Sequence, residues 1–380
     1  MTTDTNTDST ETARTTLLVT VDSLRADRFD EMERTRDYLE TCHPRAFATS
    51  TATLGSFPAI IGGEYATGDG LGRATNVASR FDCRRIGITT NHLLSAEYGY
   101  ADAFDSFTSP KGGGETLKEK GAVLLDRGTL AYRVASWGWN RYQALLSRFV
   151  DLEKSFRPAD DVIDQFLGEI EGRGEWFGWL HFMEPHHPYD PDGADVSRAE
   201  AQRVTRRVLS GRGSAADEDL VRDLYRREVA ELDRKLARLW EAIPDDTRVV
   251  FCADHGELLG EDSLWGHPGE MRPELLNVPF GTRNAPDLSE VVSLLDVPTI
   301  LSGSEHGLGT LEREVAFAAY GTNKAAMNAE HLATTDGTVQ LSDGEPATDP
   351  ELERRLERFD PEYVVKEDAL QEDLEDLGYA

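Results

Sequence analysis

Four short runs of apolar, β-branched and aromatic residues recur along the chain without the alternation of a half-exposed strand. They are Thr16–Val21 (TLLVTV), Arg85–Thr90 (RIGITT), Trp176–His181 (WFGWLH) and Arg248–Ala253 (RVVFCA). A strand that is apolar on both sides needs cover on both faces, the condition of a strand inside a parallel sheet. Between the runs, Asp160–Glu171 (DDVIDQFLGEIE) and Leu224–Ile243 (LYRREVAELDRKLARLWEAI) place apolar residues three and four apart, as amphipathic helices do. Strands alternating with helices predict an α/β fold, a doubly wound, mostly parallel sheet flanked by helices, with a small C-terminal α+β portion. Ligands of such sheets gather at the carboxyl ends of the strands.

The chain of 380 residues suffices for one large domain with a substantial core. Residues 1–14 read as a flexible acidic tail with nothing to bury. Residues 15–340 are expected to form the catalytic domain, and 341–380 an acidic helical segment packed on it. Leu209–Ala216 reads as an exposed loop between helices. Acidic residues number 70 against 40 basic ones, a net charge of −30 spread along the chain. That balance argues against nucleic acid or an anionic membrane as partner. It fits a halophilic surface, kept hydrated in concentrated salt. Cys42, Cys83 and Cys252 lie too far apart for a zinc module or a disulfide framework, which fits a reducing compartment. With no apolar export core at the N-terminus and no stretch of ~20 apolar residues for a membrane span, a cytoplasmic protein is expected. Oligomeric state is not legible.

Three of the strand runs lead into polar clusters. After the first comes Asp22, in Val-Asp-Ser-Leu-Arg-Ala-Asp (21–27). A carboxylate at a strand end is a natural hard-metal ligand, although Asp22 or Ser23 equally fits a helix cap. Thr53 precedes the apolar stretch Leu-Gly-Ser-Phe-Pro-Ala-Ile-Ile, where a helix N-terminus favours negative charge. A threonine hydroxyl becomes a nucleophile only when a metal or base activates it; a plain helix cap is the alternative. The third run leads into Met183-Glu184-Pro185-His186-His187-Pro188-Tyr189, two imidazoles beside an acid, as in ion- or anion-binding turns. The fourth leads into Asp254-His255-Gly256-Glu257, with His267 twelve residues after His255, a good metal-ligand set. His186, His187, His255 and His267 are four of only nine histidines. Ser56, Asn91 and His187 complete the candidate set as substrate contacts.

The order of these motifs resembles the sulfatase family of the alkaline phosphatase superfamily. The resemblance runs from about Thr16 to Thr299, taking in Val278-Pro279-Phe280 and Leu294–Thr299, and returns at the terminal Leu-Gly-Tyr. It implies an alkaline-phosphatase/sulfatase-like fold and a metal-dependent enzyme acting on a small anionic ester. Asp22, Asp254 and His255 match the family's metal ligands, and Thr53 its nucleophile. His186 matches the histidine that contacts the ester's anionic group or a second metal, and His267 a position used for the same purpose. Glu184 stands where many relatives place an aspartate ligand. The cofactor implied is one divalent cation or two, of Mn, Zn, Ca or Mg.

The departures bear on the chemistry. Sulfatases proper carry Cys-x-Pro-x-Arg, whose cysteine becomes formylglycine; here the stretch is Thr53-Leu54-Gly55-Ser56-Phe57. Ser23 stands where sulfatases usually have a second aspartate. The Asp, Thr, Asp-His set is similar to the phosphoryl-transfer branch, which includes nucleotide phosphodiesterases, lipoteichoic acid synthase and phosphoethanolamine transferases. The reading is therefore a sulfatase-family hydrolase or transferase acting on sulfate or phosphate esters through Thr53. Its alternatives are a phosphoryl- or phosphoglycerol-type transferase or phosphodiesterase of the same superfamily, and a non-catalytic metal- or anion-binding relative. A mutase would need an inserted cap domain, for which residues 112–151 are too short.

Overall fold

The computed structural model describes residues 15–68, 70–110, 156–303 and 312–361. The expectations for the 1–14 tail, the 112–151 interval and the end of the acidic C-terminal segment lie outside the described residues.

The four apolar runs become strands of one seven-stranded sheet. In chain order its members are β1 (Thr15–Val21), β2 (Thr41–Cys42), β3 (Arg84–Ile88), β4 (Ser106–Thr108), β5 (Trp176–Phe182), β6 (Arg248–Ala253) and β7 (Phe280–Arg283). Their spatial order is β2-β7-β6-β1-β5-β3-β4. β1 lies at the centre, parallel to β5 and β6, and β3 is parallel to β5 and β4. β7 runs antiparallel to β6 and β2. All seven residues of β1 and of β5 are buried, which is why their sequences do not alternate.

Helices cover both faces, and the alternation of β5 shows how. On one face Phe166 of α2 (Ala159–Ile170) meets Trp176 edge-on at 5.2 Å and sits over Gly178. On the other, Phe57 of α1 (Thr53–Gly62) contacts Trp179 and the ring of His181. The doubly wound arrangement read from the strand–helix alternation is thus present. α3 (Arg198–Leu209) and the long α4 (Ala215–Ala242) follow. α4 begins at Ser214, whose hydroxyl and Asp217 form a reciprocal capping box. It therefore starts nine residues before the amphipathic stretch recognised from Leu224.

Strands β8 (Ala316–Tyr320), β9 (Asn323–Met327), β10 (His331–Thr334), β11 (Gly337–Gln340) and β12 (Pro346–Ala347) form a separate antiparallel meander. α5 (Pro350–Arg358), capped by Asp349, lays Leu352 and Leu356 on Ala326 and Ala333 of this sheet. The meander is tied to the rest by hydrogen bonds that include Ala319 N–H to Thr49 O, Asn323 Nδ2 to Gly269 O, Tyr65 Oη to Phe317 O and Arg45 Nε to Ala329 O. Among the described residues no helix is long and apolar enough to cross a membrane.

Candidate active site

Strand register brings the polar clusters together. Val21 of β1 pairs with Phe182 of β5 and with Ala253 of β6, so Asp22 and Asp254 leave adjacent parallel strands at the same level. Past Asp22 the chain turns through Ser23, whose φ of 57° is a left-handed conformation that a non-glycine residue adopts at a cost of about 1–3 kcal/mol. That turn aims the Ser23 N–H at Asp254 Oδ1 (3.2 Å), and Tyr225 of α4 pins it by donating to Ser23 O (2.8 Å).

Thr53 reaches the same point from α1. Ala52 holds the N-cap position and no side chain caps the helix, so Thr53 is not a capping residue. Its Oγ1 donates to Asp254 Oδ2 at 3.0 Å and stands 3.4 Å from Asp22 Oδ2. His255 Nε2 lies 3.5 Å from Asp254 Oδ2 and 3.8 Å from Asp22 Oδ1. Asn91, beyond β3, donates from Nδ2 to Asp22 Oδ2 at 3.1 Å. Asp22, Asp254 and His255 are wholly buried, whereas Thr53 is 7% exposed.

This group fits a divalent cation on its own geometry. The ligand atoms of Asp22, Asp254 and His255 lie within 4.8 Å of one another. His255 Nδ1 is 2.8 Å from Gly256 O, an oxygen that only accepts. The neutral ring therefore carries its proton on Nδ1 and turns the lone pair of Nε2, a buried atom without a hydrogen-bond partner, toward the two carboxylates. Two carboxylates and a lone pair facing one another repel until a cation lies between them. Burial, and then the charge of Asp22, raises Asp254 above the usual carboxylate range. Burial pushes Asp22 the same way, but His186, His181 and His255 outweigh it and hold Asp22 well below that range. Burial would lower His255, yet Asp254 and Asp22 raise it.

Beside this cluster lies a group of imidazoles. β6 leads into a hairpin pairing Leu258 with Gly266, so Glu257 and His267 stand opposite each other as the next positions along it. Glu257 Oε1 is 3.4 Å from His267 Nδ1, and its Oε2 is 3.4 Å from His187 Nδ1. His186 stacks on His187 at 4.2 Å, and His267 meets His255 at 4.6 Å. Burial and then His187 lower His186 to about 3, which leaves it uncharged at neutral pH. Burial would raise Glu257, but His187 and His267 hold it well below the ordinary range.

Just before the hairpin, Gly256 packs directly on the backbone of Glu274 and Leu275, with its N–H donating to Leu275 O. A Cβ there would sit 1.9 Å from Glu274 O. Gly256→Ala is therefore expected to destabilise the fold by about 3 kcal/mol, the upper part of the overpacking range, and to displace His255 and Glu257 together. Thermal unfolding and metal content of the purified variant check both effects.

The structure thus brings Asp22, Thr53, Asn91, Asp254 and His255 into one cluster, with His186, His187 and His267 adjoining. It does not bring in Glu184 or Ser56. Glu184 Oε1 accepts from Ala159 N–H at the start of α2 (3.0 Å) and lies 3.9 Å from Lys235 Nζ. Ser56 Oγ donates to Ser50 O in the segment that precedes α1. Two residues given no role from sequence stand in the site. Glu257 is one, and its signal was present: an acid three residues past Asp254. His181 is the other, with Nε2 3.5 Å from Asp22 Oδ2 and Nδ1 3.1 Å from Thr20 Oγ1.

Two carboxylates, an imidazole and a helix-borne hydroxyl thus converge at the carboxyl edge of a mostly parallel sheet. Residues 14–283 match the family described as Sulfatase. The chain belongs to the sulfatase family. Among curated proteins, the low-salt glycan biosynthesis sulfotransferase Agl7 of Haloferax volcanii is 41% identical over 78 residues, 18% of this chain and 19% of that protein. Choline-sulfatase of Rhizobium meliloti is 25% identical over 122 residues, 25% of this chain and 24% of that enzyme. The matches thus span no more than a quarter of either relative. Among solved structures, the phosphonate monoester hydrolase from Silicibacter pomeroyi aligns with a TM-score of 0.58 at 17% identity, covering 90% of this chain and 93% of that one. The lipoteichoic acid synthase LtaP from Listeria monocytogenes aligns with a TM-score of 0.58 at 11% identity, covering 96% and 92%.

Proposed function

We propose that the protein cleaves a sulfate or phosphate ester, or transfers its sulfuryl or phosphoryl group, through a covalent intermediate on Thr53. One observation carries the reading: the Thr53 hydroxyl is held 3.0 Å from Asp254 Oδ2 and 3.4 Å from Asp22 Oδ2, beside the lone pair of His255. Asp22, Asp254 and His255 would hold a divalent cation, which supplies a Lewis acid that lowers the hydroxyl's pKa and neutralises charge on the ester.

The residues of the chain do the rest. Asp254 Oδ2 accepts the hydrogen bond of the Thr53 hydroxyl and is the nearest acceptor for its proton. Thr53 Oγ1 then attacks phosphorus or sulfur in line, forming one ester bond as the bond to the leaving oxygen breaks. The uncapped first turn of α1 faces the developing charge with backbone N–H groups. Asn91 keeps Asp22 oriented. His186, His187 and His267 adjoin the reaction centre and receive the oxygens farther from Thr53. Water or an acceptor alcohol releases the group from Thr53, which gives hydrolysis or transfer respectively. Glu184 and Ser56 have no part in this account.

A nucleophile that is threonine, with no formylglycine precursor, favours phosphate esters, whereas the curated relatives' names point to sulfate. The acidic composition supports a protein adapted to concentrated salt. Incubation with aryl phosphate and aryl sulfate esters, in Mn, Zn, Ca and Mg at low and high KCl, tests these readings together. Turnover of one ester class, cation-dependent and greater in high KCl, is the expected result. A folded, metal-loaded protein that turns over neither class is a binding protein instead.

A further inference from the structure

The turn that carries His186 and His187 has no regular structure of its own. Residues 183–197 lie between the end of β5 and the start of α3 and form no helix or strand. Pro185, Pro188 and Pro191 have no N–H to offer a neighbour. The course of this turn therefore depends on partners outside it. Two of them are buried acids of α4. Glu228 Oε1 accepts from Asp190 N–H at 2.7 Å, and Glu231 Oε2 accepts from Asp192 N–H at 2.6 Å. Lys235, one turn further along, reaches Glu231 Oε1 at 2.5 Å and stands 3.9 Å from Glu184 Oε1, where the turn begins. Tyr225, one turn before Glu228 on the same side of the helix, holds the other turn of the site. Its hydroxyl donates to Ser23 O (2.8 Å) and accepts from Arg25 N–H (3.0 Å).

We propose that Glu228 and Glu231 are positioning residues of the active site: they fix the main chain of the His186–His187 turn from the same side of α4 on which Tyr225 fixes the Asp22 turn. One rigid helix then sets the spacing between the two halves of the site. Packing alone does not call for acids at these positions, since a buried carboxylate is costly unless hydrogen bonds offset the loss of water. Bonds from main-chain N–H groups to a carboxylate are of the strong, charge-assisted kind. They direct the backbone, and with it the two rings that lie between Glu184 and Asp190.

Asp233 shows the same device put to another use. It is a third buried acid of α4 and accepts from Thr35 N–H (2.9 Å) and Arg34 N–H (3.3 Å), in the short helix Glu33–Tyr38. Five residues past Glu228 it lies on a different side of α4. Asp233 is thus a control for what such a bond contributes to folding alone. The effect of the clamp on turnover rests on the reading of Thr53 and the adjoining histidines given above; the clamp itself does not.

The test uses the full chain and substitutions that keep side-chain length while removing the acceptor. Glu228→Met and Glu231→Met should each move the ring signals of His186 and His187 in ¹H–¹⁵N spectra, assigned with His186→Ala and His187→Ala. Each should also weaken binding of inorganic phosphate in the presence of Mn²⁺, and raise KM for the aryl ester, about 10- to 100-fold, with kcat falling far less. Glu228→Gln, which keeps an oxygen to accept from Asp190 N–H, should recover most of the loss. Tyr225→Phe should weaken Mn²⁺ binding about 10-fold and leave the two ring signals in place. Asp233→Ala should lower the melting temperature with no change in ring signals or phosphate affinity. Should Glu228→Met fail to fold, Glu231→Met carries the same prediction, since its bond to Asp192 N–H is only partly buried. Methionine variants that melt lower but keep wild-type ring signals and phosphate affinity overturn the proposal, as does a Glu228→Gln protein no better than Glu228→Met. A wild-type protein that turns over no ester removes the Thr53 reading, and the ring signals still decide this one.

Discussion

Thr53→Ala is expected to reduce turnover on the order of 10⁴-fold or more while leaving the fold and the metal content close to wild type. The size follows from the role: an enzyme that has lost its nucleophile retains only the acceleration due to positioning and charge stabilisation. The selectivity follows from the contacts. The hydroxyl makes no helix cap, and its hydrogen bond to Asp254 Oδ2 is among few it has. Losing one such bond costs about 1 kcal/mol, so the thermal midpoint should move by only a few degrees. Thr53→Ser restores a hydroxyl at the same place and should recover much of the rate. Steady-state kinetics on the aryl ester, with metal analysis and a melting curve of each variant, check all three statements. A Thr53→Ala protein as active as wild type removes the mechanism.

Asp254→Asn is expected to change stability in opposite directions with and without metal. In the metal-free protein two buried carboxylates face each other across the Thr53 hydroxyl, and Asp254 is the one whose charge burial and Asp22 make costly. Asparagine keeps an oxygen to accept from Ser23 N–H and His255 N–H, the bonds that Asp254 Oδ1 receives at 3.2 and 2.8 Å, and removes the charge. The metal-free variant should therefore gain about 1–3 kcal/mol over wild type near neutral pH. Wild type gains more once the cation is supplied, about 4 kcal/mol at a thousandfold excess over the dissociation constant, and the variant gains far less from this site. The melting curves should cross: the variant melts higher without metal, the wild type higher with it. Activity in the variant should be lost at ordinary cation concentrations. A variant that melts lower without metal and is rescued equally by cation would show that Asp254 is no ligand.

The central sheet was legible because its strands are covered on both faces. TLLVTV and WFGWLHF cannot be mistaken for half-exposed strands, and each points at the polar residue that follows it. The same feature hid His181. Where every residue of a strand is buried, alternation no longer shows which side chain faces the site, and an imidazole within the strand reads as packing. The C-terminal α+β portion was expected, but β2, β4 and the individual strands of the C-terminal meander escaped because they run from two to five residues. NKAAM, HLAT and GTVQ carry small or polar residues that pack on α5 without an apolar signature of their own.

In the site, Asp22, Thr53, Asp254 and His255 were legible because each follows or precedes an element that delivers it. Glu184 attracted attention by lying next to two histidines, but adjacency in a turn does not set direction, and its Oε1 accepts from Ala159 N–H at the start of α2. Glu257 took that place for a reason visible only in space: the Leu258–Gly266 pairing folds the chain back and stands it opposite His267.

The most direct test is to quench the enzyme in acid during steady-state turnover of the ester it accepts and to map its peptides by mass spectrometry. The account predicts a phosphoryl or sulfuryl group on Thr53 in the peptide that contains it, absent from the Thr53→Ala protein. An active enzyme whose Thr53 stays unmodified while another side chain carries the group would contradict it.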